Sequence, residues 1–172
     1  MILAALAVAA LDVALVDANP TSIDVSAAVQ CKGSSDDLFT LLVMRSNDPA
    51  YATKRSWKGI EKPNGFFPKR YRLPRPIEVF GRKSNELTFT NNSVFAVLSG
   101  VDVRTLATEL NIKPDIDDGE TFMGGRVARK ELHLDPEDDT RTRVMLALQV
   151  STMGEPAGNV LIGCSYSSEV VK

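Results

Sequence analysis

Residues 142–171 read TRVMLALQVSTMGEPAGNVLIGCSYSSEVV. In the first arm Val144, Leu146, Leu148 and Val150 alternate with Arg143, Met145, Ala147, Gln149 and Ser151. This period of two marks a strand with one buried face. Gly154 to Asn159 supplies turn chemistry, and the second arm puts Val160, Ile162, Cys164, Tyr166 and Val170 on one face. The stretch therefore reads as a β-hairpin lying on a core.

Cys164 is one of only two cysteines. The other, Cys31, closes a second alternation in which Ile23, Val25, Ala27, Val29 and Cys31 stand against Ser22, Asp24, Ser26, Ala28, Gln30 and Lys32. Residues 22–32 accordingly read as a first strand, with both thiols pointing inward from terminal strands. If those strands are neighbours the pair forms a disulfide, provided the Cα atoms come within about 7 Å. Otherwise each cysteine is a small buried hydrophobe. An oxidising compartment permits the bridge.

The chain of 172 residues, 44% hydrophobic and 24% charged, has the length and composition of one globular domain over residues 19–172. Its net charge of −2 argues against a general nucleic-acid binder. The charges are segregated: residues 51–100 hold ten Lys/Arg against three acids, and residues 101–139 hold eleven acids against five bases. Residues 1–18 open with an apolar run of eleven. That is too short for a bilayer span of roughly twenty residues, so stable membrane insertion is not expected. The run suits a signal-peptide core ahead of Val16-Asp17-Ala18, although it lacks a basic start and carries Asp12 and Asp17. Its competing reading is a packed helix of the fold. The signal-peptide reading places the protein in the periplasm or outside the cell.

Ser34 and Asp37 resemble a capping box before Leu38, Leu41 and Leu42, which predicts a helix over about 36–46 ending near Asn47-Asp48-Pro49. Val103, Leu106, Ala107 and Leu110 predict a second helix, capped by Asp102. Short strands are expected at 77–80 and 86–90. The run Ser93–Leu98 is apolar on both faces and belongs at the centre of the structure. A strand from about Arg126 to Leu134 completes an antiparallel meander with the terminal hairpin. The fold expected is α+β: an antiparallel sheet of about five to six strands with two or three helices packed on one face.

Between Ala50 and Pro76 periodicity fails, and the segment reads as a long irregular connection. It carries Trp57, Phe66, Phe67 and Tyr71 among Arg55, Lys69, Arg70 and Arg72. Aromatic and arginine side chains dominate interface hot spots, so these eight residues are the candidate partner-binding set. Their competing role is to tuck the connection onto the core. The acidic stretch Asp115, Asp117, Asp118 and Glu120 lacks the closing glutamate of a calcium loop and reads as a solvated loop; as a binding surface it is the alternative to the basic set, with the acids plugging a basic cleft of the partner.

No nucleophile elbow, phosphate loop, dinucleotide fingerprint or zinc motif occurs. The single histidine, His133, falls on the surface side of its strand. No cofactor, metal site or catalytic residue is expected, and a protein partner is. The function expected is an exported binding protein, such as an inhibitor or immunity-type protein that blocks a toxin or cell-envelope hydrolase. The alternatives are an accessory subunit of an envelope or secretion assembly and an enzyme of unfamiliar type built on His133 and acidic residues.

Overall fold

The computed structural model describes residues 20–61, 69–134 and 140–171. Its strands are β1 (Lys58–Ile60), β2 (Lys69–Val79), β3 (Arg82–Phe89), β4 (Ser93–Ser99), β5 (Lys113–Asp117), β6 (Phe122–Leu134), β7 (Arg141–Ser151) and β8 (Asn159–Val171). They form one sheet in the order β1-β2-β3-β4-β8-β7-β6-β5. Every pairing is antiparallel. The sheet of five to six strands expected from the sequence is thus too small.

The helices are α1 (Val25–Val29), α2 (Ser35–Asn47), α3 (Tyr51–Lys54) and α4 (Val103–Glu109), preceded by a 3-10 turn at Pro20–Ser22. All four helices contribute to one core, which joins Val29, Leu38, Leu41, Tyr51 and Leu106 to Val94, Ala96 and Leu98 of β4, Leu146, Leu148 and Val150 of β7, and Ile162 and Cys164 of β8. On the other face Phe95, Val97 and Leu161 make a separate cluster with no helical member. β4 is therefore buried on both sides, as its unbroken apolar run requires. No helix among the described residues is long and apolar enough to cross a membrane.

Local chemistry explains the two longer helices. Ser34 caps α2 by accepting a 3.0 Å hydrogen bond from the Asp37 N–H, and Asp102 caps α4 by accepting one of 2.7 Å from Thr105. Residues 22–32 do not form a strand. Asp24 caps a short helix instead, and Val25, Ala28 and Val29 turn one face into the core. Over so few residues Val25 and Val29 fit both the alternation and the helical i, i+4 spacing; the cap selects the helix, which buries Ala28 at i+3 in place of Ala27. Cys31 follows in the left-handed region, with φ 54°, and bonds to Cys164 at a Cα–Cα distance of 5.2 Å. The bridge pins the end of α1 to a central strand.

The described part of the segment 50–76 is also more regular than its sequence pattern implies, since it holds α3, β1 and most of β2. Pro74 and Pro76 mask that strand. They fall where the pairing of β2 with β3 shifts register, between Arg72 and Ile77, and where β1 no longer runs alongside. Part of the expected acidic loop is likewise the edge strand β5, whose five residues are all exposed and so show no alternation.

Candidate interaction surface

Ladder register fixes what the other face, helix-free among the described residues, presents. One row across the sheet runs Lys113, Gly125, Gln149, Gly163, Phe95, Thr88 and Arg70. The next runs Ile116, Met123, Ser151, Leu161 and Val97. Two glycines in the first row make room for larger neighbours. The Phe95 ring occupies the space over Gly163, where a Cβ would approach Phe95 Cδ1 to 2.7 Å, and a Cβ on Gly125 would lie 3.4 Å from Gln149 Cγ. Phe95, Met123 and Met153 form the apolar walls of a cleft of about 250 Å³ on this face. Gln149, Ser93 and Ser151 add polar groups, and the turn residues Thr90 and Asn92 close one end.

Most of those polar groups are already bonded. Ser93 and Thr90 donate to the Asn92 side-chain oxygen, Asn92 donates to the Tyr166 carbonyl, and Ser151 Oγ accepts from the Met153 N–H. The Gln149 carboxamide makes no hydrogen bond to any described residue.

Beside Phe95 the same face holds a buried ion cluster. Arg70 is 5% exposed and donates from Nε to Glu86 at 2.7 Å and from one terminal nitrogen to both oxygens of Glu155, whose side chain is 2% exposed. Charge-assisted hydrogen bonds of this kind are stronger than neutral ones. Glu155 belongs to the loop 152–158 between β7 and β8, which also supplies Met153. The cluster therefore holds a cleft wall in place.

The face continues past the cleft along β6. Met123 pairs with Ile116, Val127 with Ala147, Leu132 with Arg143 and Leu134 with Arg141. Ile116, Val127, Leu132 and Leu134 are four of the six exposed large hydrophobic residues described, at 37%, 50%, 61% and 59% exposure. By register Lys113, Lys130, Arg141 and Arg143 share this face, with Glu169 bonded to Arg143 at 2.7 Å.

The eight residues expected to bind a partner do not form one exposed set. Trp57 is buried among the rings of Tyr51, Tyr71 and Phe89, at centroid distances of 5.8–6.0 Å. Its role as a surface anchor is corrected to that of a core residue, because tight packing on these rings leaves only 8% of it exposed. Arg55 stacks on Tyr51 and Trp57 and donates to the Tyr51 hydroxyl and the Ile23 carbonyl, so it ties α3 to the start of α1. Arg70 is an interior residue rather than a surface base. Arg72 is exposed and reaches Glu86 at 3.2 Å, Lys69 is exposed and Tyr71 is half-buried. Phe66 and Phe67 lie outside the described residues. A recess of about 300 Å³ does join Arg55 and Trp57 to Leu73, Pro74 and Ile77 at the edge of β2.

Other chemistry-bearing groups serve the fold. Ser35 donates to Glu131, His133 Nε2 lies 3.3 Å from the same carboxyl, and Arg129 bonds its other oxygen at 3.2 Å. The carboxylate stands between serine and histidine, and among the described residues Ser35 and His133 share no hydrogen bond. The Ser35 bond, with those from His133 and Arg129, holds the Glu131 pKa below its ordinary value. Asp117 is similarly lowered by Arg104, and Asp118 by the backbone N–H groups of Thr121 and Glu120. No cluster of three His, Cys, Asp or Glu suited to a metal ion occurs among the described residues.

Neither a protein-family model, a curated protein nor a solved structure matches the chain. The functional reading therefore rests on the geometry of the chain itself. Sequence reasoning missed Phe95, Met123, Gln149 and Met153. The available signal was the second apolar face of β4, which called for cover on the side away from the helices.

Proposed function

We propose that this protein is a binding protein that docks a second protein on the helix-free face of its sheet. The observation that carries the reading is the gathering of Ile116, Val127, Leu132 and Leu134, exposed, on that one face. Contiguous exposed apolar surface rimmed by polar groups is characteristic of interaction sites. Among the described residues that strand register places on this face beside the stripe, Lys113, Lys130, Arg141 and Arg143 outnumber Glu169, which favours a partner surface bearing carboxylates. The Cys31–Cys164 bridge supports an oxidising compartment, the periplasm or the exterior. The narrower role of a toxin or hydrolase blocker draws on no residue beyond these and is not part of the proposal.

A photo-cross-linking side chain placed at Val127, and separately at Lys32 on the helix side, tests the proposal in the native host. A discrete adduct from position 127 that is absent from position 32, and that is lost when Lys130 and Arg143 are both changed to Glu, is the result expected. Equal labelling at both positions, or none at 127, overturns it. The adduct mass distinguishes a different protein from a second copy of this chain.

A further inference from the structure

We infer that the cleft between Phe95 and Gln149 is an anchor site for one uncharged, apolar amino-acid residue of a bound polypeptide. Its side chain lies between Phe95, Met123 and Met153, and its peptide unit lies on the Gln149 carboxamide. The inference rests on the reading of this face as the binding surface and names what one part of that surface recognises.

Size comes first. About 250 Å³ is below the usual range for a drug-sized ligand and suits a single leucine- or methionine-sized group with its flanking amide. Charge comes second. The residues lining the cleft carry no ionisable side chain; of the two cations in the row, Arg70 is committed to Glu86 and Glu155 and Lys113 stands on the edge strand, two strands away from Gln149. An ionic ligand would lose its hydration there without a counter-charge.

Hydrogen-bonding pattern comes third. Gln149 is the one polar liner whose side chain is unbonded among the described residues. A carboxamide offers an acceptor and two donors, which complement the N–H and C=O of a peptide unit at two points. A hydroxyl or an ester matches that pair only partly. The methionine walls adapt to different aliphatic shapes, while the Phe95 ring, seated over Gly163, gives the cleft a rigid side. Finally, Met123 is the cross-strand partner of Ile116, so the cleft opens onto the exposed stripe along which a polypeptide would lie.

Titration of the ¹⁵N-labelled protein with N-acetyl-leucine methylamide, followed by two-dimensional NMR, tests this. The expected result is saturable shifts confined to residues around Phe95, Met123, Gln149 and Met153, with Kd on the order of 1 mM for so small a ligand. N-acetylglycine methylamide, which lacks the side chain, should bind at least about tenfold more weakly. Isoamyl alcohol, which lacks the peptide unit, and the Gln149→Leu variant should each weaken binding about fivefold. Met153→Ala supplies a second variant outside the sheet ladder. Absence of saturable shifts, equal binding of the glycine compound, or unchanged affinity in Gln149→Leu overturns the inference. If that happens while the position-127 adduct persists, the cleft assignment fails and the docking face stands; loss of both overturns the face as well.

Discussion

A methyl group on Gly163 would fall 2.0 Å from the Val94 carbonyl oxygen and 2.6 Å from the Phe95 Cα. These are backbone atoms of the neighbouring strand and cannot swing aside. Gly163→Ala should therefore destabilise the protein by at least about 1–3 kcal/mol, the usual cost of overpacking. Gly125→Ala, whose closest contact is 3.3 Å, should cost much less. Urea denaturation of the two variants checks both, and a Gly163→Ala protein as stable as wild type would refute the close approach. At this scale the sequence shows residue types better than their surroundings. Trp57 and Arg70 look like a binding pair because their flanking residues are basic and aperiodic. Their burial depends on Tyr71, Phe89 and Glu155, which lie up to 85 positions away.

Helix α2 is tied to β6 through Ser35 and Glu131, and the tie titrates. The folded-state pKa of Glu131 is lowered by its bonds to Ser35, His133 and Arg129. Its contribution to stability is thus complete above the unfolded carboxyl value of about 4.3 and is lost as pH falls through the lower folded value. Between about pH 5 and 3 the wild type should lose more stability than Glu131→Gln, so the difference between the two shrinks with acid. Parallel stability profiles would show that the tie carries no weight. Elements of this kind were largely legible: the caps of α2 and α4 and the alternation of β7 and β8 are local patterns. Strands β1 and β5 and the part of β2 before Ile77 were not, because edge position, prolines and two-sided exposure erase the period that identifies a strand, whereas the end of β2 falls in the short strand expected at 77–80.

Across the whole molecule the disulfide joins residues 133 positions apart, and Cys164 is fully buried. Closing a loop that long restricts the unfolded chain by about 5 kcal/mol on the chain-entropy model. The Cys31→Ala/Cys164→Ala double variant should lose up to that amount in urea denaturation, and the wild type under reducing conditions should match it. No difference between the oxidised and reduced proteins would mean that the bridge is dispensable. The inward-facing thiols were legible, whereas the helix that carries Cys31 was not. The order of the sheet has a consequence for synthesis. β8 lies between β4 and β7 and follows the other seven described strands in the sequence, so a nascent chain holds two half-sheets with unmatched edges until residues 159–171 arrive to zip them together. Vectorial emergence from a ribosome thus cannot complete this sheet piece by piece; its halves join only once β8 has been delivered.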